Sequence, residues 1–172
     1  VLGALSGRSF STAQRNVLLG YRVGSGITTG ISNIVLGDSS MDGFSTVGSY
    51  NIVLGSRSVR AITSGQRNIV MGYKVGELIG VGSRNIAIGD STMDNELVFG
   101  NLNIVIGSKS ARNITGGSRN IAIGDSALDA GFTTGSNNIL VGSRTGRSLS
   151  TGQRNIFMGY KAGENVTSGF QN

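Results

Sequence analysis

Six basic residues recur at one point of an internal repeat, two positions after the glycine that closes the phrase Asn–aliphatic–apolar–aliphatic–Gly. We call this set the basic column, and its members are Arg22, Arg57, Lys74, Lys109, Arg144 and Lys161. Equivalent residues of a stacked repeat lie above one another, so these side chains would form a positive stripe on a chain of net charge +6. We predict that the stripe is a candidate binding surface for anionic glycans or membranes. The alternative is a solvated face that only keeps the protein in solution.

A second set of residues, five positions after the same glycine, contains charges of both signs. This mixed-charge column consists of Arg8, Ser25, Asp42, Arg60, Glu77, Asp94, Arg112, Asp129, Arg147 and Glu164. Only one neighbouring pair in it carries like charges, so we expect ion pairs between coils, each worth about 0.2–1 kcal/mol. Three pairs of acids could bind a cation: Asp38/Asp42, Asp90/Asp94 and Asp125/Asp129. One acid of each pair has an Arg neighbour, so we favour structural ion pairing and predict no metal site.

The residues do not suggest a catalytic centre. The sequence has no His and no Cys, and no base stands beside a candidate nucleophile. We therefore predict that the protein is not an enzyme, with no catalytic residues and no cofactor. The basic residues lack interleaved aromatic platforms, so we expect no nucleic-acid binding. No apolar run approaches the roughly 18–20 residues that span a bilayer, so we expect no membrane insertion by this segment.

The repeated phrase is the element that must position these side chains. Its Asn returns every 17 or 18 residues, at Asn16, Asn33, Asn51, Asn68, Asn85, Asn103, Asn120, Asn138 and Asn155. A weaker apolar position precedes nearly every Asn by six residues, and glycines mark the bends. One strong and one weak strand per period predict an all-β fold, a parallel β-solenoid of about ten coils. Residues 1–172 would form a single repeat domain.

Two further details follow from stacking. Superimposed Asn side chains would form a ladder of amide hydrogen bonds along one corner of the solenoid. The coils that follow Gly37, Gly89 and Gly124 are one residue longer than the others. We expect their extra residue in a loop or bulge opposite the strong strand.

The middle residue of the phrase is apolar in all copies. These residues are Leu18, Val35, Val53, Val70, Ala87, Val105, Ala122, Leu140 and Phe157. Side chains alternate along a strand, so the middle residue and its two aliphatic neighbours point to opposite faces. We predict that the neighbours face the chain's own core and that the middle residues form an oligomer interface. Each buried side chain would contribute about 1.5–3 kcal/mol.

The pattern Gly-x-x-Asn-Ile-Ala-Ile-Gly resembles the head repeats of YadA-like trimeric autotransporter adhesins. It is also similar to the 17-residue repeats of phage and viral tail fibres, as at residues 136–143 and 155–160. The resemblance covers essentially the whole chain. It implies a left-handed parallel β-roll and an intertwined or side-by-side homotrimer. The period is longer than that of the adhesin head.

These observations predict a structural or adhesive segment of an extracellular fibre. It would lie at a cell surface or on a virion and present a surface to a cell-surface glycan or matrix receptor. Two alternatives stay open: an inactive relative of the hexapeptide-type β-helix acyltransferases, and an ice-binding solenoid. The first is suggested by residues 36–41, which fit one hexapeptide, and the second by a column of Thr residues.

Overall fold

The computed structural model describes residues 1–43, 46–60, 62–77, 79–94, 100–129 and 133–170. It confirms an all-β parallel β-solenoid, with about eight turns rather than the predicted ten. One nine-stranded sheet contains the strands in chain order. They are β1 (Val17–Leu19), β2 (Ile34–Leu36), β3 (Ile52–Leu54), β4 (Ile69–Met71), β5 (Ile86–Ile88), β6 (Ile104–Ile106), β7 (Ile121–Ile123), β8 (Ile139–Val141) and β9 (Ile156–Met158).

The strands stack in register, so equivalent residues of successive coils are direct neighbours. Ile86 pairs with Ile104, and Ala87 pairs with Val105. The Asn before each strand, which is buried in every coil except that of Asn16, extends this register into a side-chain ladder, as predicted. The Asn103 side-chain nitrogen, for example, donates to the Asn85 side-chain oxygen at 3.1 Å and to the Gly117 carbonyl at 2.9 Å. The Asn103 backbone N–H donates to the same Asn85 oxygen at 2.9 Å.

The middle residues of the strands lie in the chain's own core, which contradicts their prediction as an oligomer interface. Leu18 is 2% exposed, Phe157 is half-buried against the core, and the other seven are fully buried: Val35, Val53, Val70, Ala87, Val105, Ala122 and Leu140. The physical reason is that the buried Asn and the middle residue are two positions apart, so they share the inward face of the strand. The aliphatic residues on either side of the middle residue therefore face outward.

Other inward positions complete the core of each coil. The apolar residue six positions before Asn is fully buried at Ile27, Ile62, Ile79, Ile114 and Leu149. The weak strand appears in the described residues only as isolated bridges, such as Ile27 to Thr46 and Ile114 to Thr133. Thr46 and Thr133 belong to two of the longer coils and lie five rather than six positions before Asn. Both are fully buried and pair with the buried Ile of the preceding coil. The apolar residue Phe132, predicted there, lies outside the described residues.

A column of hydroxyl groups, all buried except that of Ser6, also ties neighbouring coils together, and the sequence reasoning missed it. Each hydroxyl donates to the carbonyl oxygen of a phrase glycine in the next coil. The donors are Ser6, Ser40, Ser58, Thr92, Ser110 and Thr145. Their signal in the sequence is a Ser or Thr three residues after the phrase glycine of the same coil. The phrase glycine itself must be small: a Cβ on Gly89 would lie 2.6 Å from the Gly107 carbonyl oxygen.

Candidate functional site

The basic column runs along the bend that follows the sheet. All six of its residues have a left-handed backbone, with φ between 52° at Lys74 and 59° at Lys161. Gly and Asn adopt this conformation most easily, whereas other residues hold it at a cost of about 1–3 kcal/mol. None of the six positions is Gly or Asn. The left-handed bend turns each basic side chain away from the core.

Ion pairs divide the basic column into two groups. Arg22 contacts Asp42 at 3.7 Å, while Arg144 and Lys161 contact Glu164 at 3.0 and 3.7 Å. Arg57, Lys74 and Lys109 have no carboxylate within 4.0 Å in the described part of the chain. Among the described residues, half of the basic column is therefore paired with an acid and half is not.

In the described part of the chain, the mixed-charge column forms ion pairs between coils at three places. Arg60 contacts Glu77 at 3.7 Å and Arg147 contacts Glu164 at 4.0 Å. The tightest pair is Arg112 with Asp129, in which two nitrogens reach the two carboxylate oxygens at 2.5 and 3.0 Å. The carboxylate of Asp129, which is 4% exposed, raises the pKa of Arg112 through this hydrogen bond.

Five of the six acids that could have bound a cation make structural contacts to neighbouring coils. Asp38, Asp90 and Asp125 each accept a hydrogen bond from a backbone N–H of the preceding coil, at 3.0–3.2 Å. Asp94 differs, because one of its oxygens is buried and has no hydrogen-bond donor among the residues that the structure describes. Burial is the main cause that raises the pKa of Asp94, and the nearby charge of Glu77 adds to it. Among the described residues, no three His, Cys, Asp or Glu side chains lie close enough together to hold a metal ion.

A surface cleft of about 330 Å³ opens between the basic and mixed-charge columns. It is lined by Ser39, Asp42, Arg57, Arg60, Lys74 and Glu77. We call it the Arg57 cleft. Three cations and two carboxylates give it a net positive charge. Its two members of the basic column are two of the three that have no acidic partner among the described residues. The cleft brings Arg57 and Lys74 together, whereas Lys109 lies outside it.

Tyrosine is the feature of this region that sequence reasoning missed. The Arg57 guanidinium donates to the Tyr73 hydroxyl at 3.3 Å, and the Lys74 ammonium lies 5.6 Å from the centre of the Tyr73 ring. The same cation–ring contact joins Lys161 to Tyr160. The signal in the sequence is a Tyr directly before a basic-column residue. These exposed rings help to hold the basic side chains in place.

The outward side of the sheet is a second candidate surface. The two aliphatic residues that flank each middle residue form two parallel columns there, which we call the outer apolar face. Its members are Val17, Leu19, Ile34, Leu36, Ile52, Leu54, Ile69, Met71, Ile86, Ile88, Ile104, Ile106, Ile121, Ile123, Ile139, Val141, Ile156 and Met158. Their exposure includes 40% at Ile34, 36% at Ile106 and 58% at Ile156. The single chain therefore leaves this apolar face partly exposed to solvent.

Within the described residues, the chain has no helix with the length and apolar character needed to cross a membrane. Comparison with protein-family models, with characterised proteins and with solved structures finds no match to this chain.

Proposed function

We propose that this chain is a structural and adhesive segment of an extracellular fibre, in which three copies associate side by side. The outer apolar face is the observation that carries the proposal. The fibre would belong to a cell surface or a virion, and the basic column would provide its attachment surface. We still propose a homotrimer, but with an interface formed by the aliphatic residues that flank the middle residues.

The dimensions of the outer apolar face support association. Nine strands at a spacing of about 4.8 Å give a stripe roughly 38 Å long. Side chains two residues apart on a strand make it roughly 10 Å wide, so its area is roughly 400 Å². The largest apolar patch on a typical soluble monomer has about this size and is often functional. A straight, narrow stripe suits three rods that each present one face to a common axis.

The arrangement of charge supports an attachment role for a different side of the rod. The basic column and the Arg57 cleft lie at the bend after the sheet, apart from the outer apolar face. Association through the sheet would therefore leave the basic residues open to solvent. Three chains would present three parallel basic columns, and several weak contacts would add up to stable attachment.

Sedimentation equilibrium tests the assembly. We expect a mass about three times the 17.7 kDa of one chain. The double variant Ile104→Lys/Ile121→Lys places two charges on the outer apolar face and should reduce the mass to that of one chain, with an unchanged β-sheet circular dichroism spectrum. The matched control Val81→Lys replaces an aliphatic residue outside the strands that is 45% exposed, and it should stay trimeric. A wild-type mass of 17.7 kDa would refute the trimer.

Attachment has its own test. Reversing the charge of Arg22, Arg57, Lys74 and Lys109 together should abolish adhesion of the protein to cells that carry acidic glycans. Unchanged adhesion of this variant would show that the basic column is only a solvated face.

A further inference from the structure

We propose that the Arg57 cleft binds the carboxylate group of an acidic sugar. The inference rests on the proposed attachment function for the source of the ligand, a cell-surface glycan. Two regions of the same chain with the same residue types support the site itself.

The residues of the Arg57 cleft occur twice in the solenoid. Each has a counterpart of the same type, and every counterpart lies the same number of residues further along the chain. The second set, which we call the Glu164 cluster, consists of Ser126, Asp129, Arg144, Arg147, Lys161 and Glu164. The two sets therefore offer the same chemical groups on three successive coils.

In the Glu164 cluster, the three cations surround one carboxylate. The oxygens of Glu164 lie 3.0 Å from Arg144, 4.0 Å from Arg147 and 3.7 Å from Lys161. The Glu164 side chain is only 17% exposed. This arrangement shows that the geometry of the three coils can hold a carboxylate among two guanidinium groups and an ammonium group.

In the Arg57 cleft, the equivalent acid does not contact the two basic-column residues, whose described partner is the Tyr73 side chain. Glu77 contacts only Arg60, at 3.7 Å, and its side chain is 41% exposed. The second acid, Asp42, contacts Arg22, which lies outside the cleft. Arg57 and Lys74, the counterparts of Arg144 and Lys161, therefore have no carboxylate partner in the described part of the chain. An external carboxylate would occupy the place that Glu164 fills in the other cluster.

The remaining groups of the cleft favour a sugar that carries one negative charge. The carboxylates of Asp42 and Glu77 can accept hydrogen bonds from sugar hydroxyls, and the Ser39 hydroxyl can donate or accept one. The same two acids repel a second negative charge on the ligand, which disfavours densely sulfated chains and acidic peptides. A volume of about 330 Å³ lies at the small end of ligand sites and suits a monosaccharide unit.

Titration of the 172-residue chain with glucuronate, followed by calorimetry and ligand-observed NMR, tests the inference. We expect one glucuronate per chain and no binding of uncharged glucose. Arg57→Gln and Lys74→Gln should each weaken binding about tenfold, because each removes one charge-assisted hydrogen bond. Arg119→Gln is the matched control, since Arg119 is also exposed and left-handed, at φ 58°, but lies outside both clusters.

The variant Glu164→Gln makes the sharpest distinction. It removes the internal carboxylate from the second cluster and should raise the number of glucuronate sites from one to two per chain. A count that stays at one would overturn the assignment of Glu164 as an internal substitute for the ligand.

Three other results would overturn the proposal. They are equal binding of glucose, unchanged affinity in both Arg57→Gln and Lys74→Gln, and tighter binding of an N-acetylglutamate peptide than of glucuronate. A trimer that adheres to cells but does not bind glucuronate would refute this inference alone. A monomer that binds glucuronate would refute the proposed assembly and leave the site intact.

Discussion

Replacing Asn85 by Ala would remove four hydrogen bonds from the middle of the amide ladder. The side-chain nitrogen of Asn85 donates to the Asn68 side-chain oxygen at 3.2 Å and to the Gly100 carbonyl at 3.0 Å. Its oxygen accepts from the Asn103 backbone N–H at 2.9 Å and from the Asn103 side-chain nitrogen at 3.1 Å. All these residues are buried.

The expected loss of stability follows from the groups that are left without partners. The Gly100 carbonyl and the Asn103 backbone N–H lose their hydrogen bonds, whereas the Asn103 side chain keeps one to Gly117. Each buried polar group without a partner costs about 1–3 kcal/mol. Ala gains back some side-chain entropy, because Asn no longer has to be ordered. We expect Asn85→Ala to lower the free energy of unfolding by about 3 kcal/mol.

Equilibrium unfolding in urea, followed by circular dichroism at a fixed chain concentration, measures this loss. Asn16→Ala is the control, because Asn16 occupies the same position in the first strand-bearing coil but is only half-buried, so water can replace its bonds. It should cost less than half as much. A loss below about 0.5 kcal/mol for Asn85→Ala would refute the structural role of the ladder.

Three other changes test separate features of the solenoid. Gly89→Ala should destabilise the protein more than Gly159→Ala: both have positive φ, of 133° and 113°, but only at Gly89 would the new Cβ meet backbone atoms. The shared backbone strain costs about 1–3 kcal/mol, and comparison of the two midpoints in urea isolates the clash. Ser58→Ala should cost about 1–2 kcal/mol in the same assay, because its hydroxyl donates to the Gly72 carbonyl, and no loss would contradict this role. Asp94→Asn should raise the melting temperature at pH 7, because the raised pKa of Asp94 means that its charged form disfavours folding. The charged form of Asp94 becomes costly as the pH rises above 3.8, the ordinary pKa of Asp, through the raised pKa of Asp94. The gain in melting temperature should therefore vanish below pH 3.8. A gain that does not depend on pH would contradict the burial of a charged carboxylate as its cause.

Most of the architecture could be predicted from the sequence because every coil repeats the same constraints. A buried Asn, a glycine bend and an apolar strand recur together, and stacking in register turns each recurrence into a column. The amide ladder and the Arg112–Asp129 pair followed from this reasoning alone.

The direction of the strand faces could not be read from hydrophobicity, because both faces are apolar. Ile86 and Ile88 would fit a core as well as Ala87 does. The residue that decides is Asn85: an amide ladder is strong only away from water, and Ala87, two residues later, must share its face. The position of the Asn therefore indicates the inward face, whereas the apolar character of the middle residues alone led to the wrong prediction of an oligomer interface.

The Arg57 cleft could not be predicted as a site because it depends on side-chain conformation. The same residue types occur in the Glu164 cluster, where the acid turns inward and contacts three cations. In the Arg57 cleft, Glu77 contacts only one cation. Sequence places the same charges at both points, and only the packed structure distinguishes an occupied cluster from an open one.

Cysteine cross-linking tests most directly whether the outer apolar face joins the copies of this chain. The natural chain has no cysteine, so Ile104→Cys and Val105→Cys each introduce a single thiol, on the outer face and in the core respectively. After mild oxidation, a non-reducing gel should show a product of two chains for Ile104→Cys and none for the fully buried Val105→Cys. A two-chain product for Val105→Cys, or none for Ile104→Cys, would contradict the proposed interface.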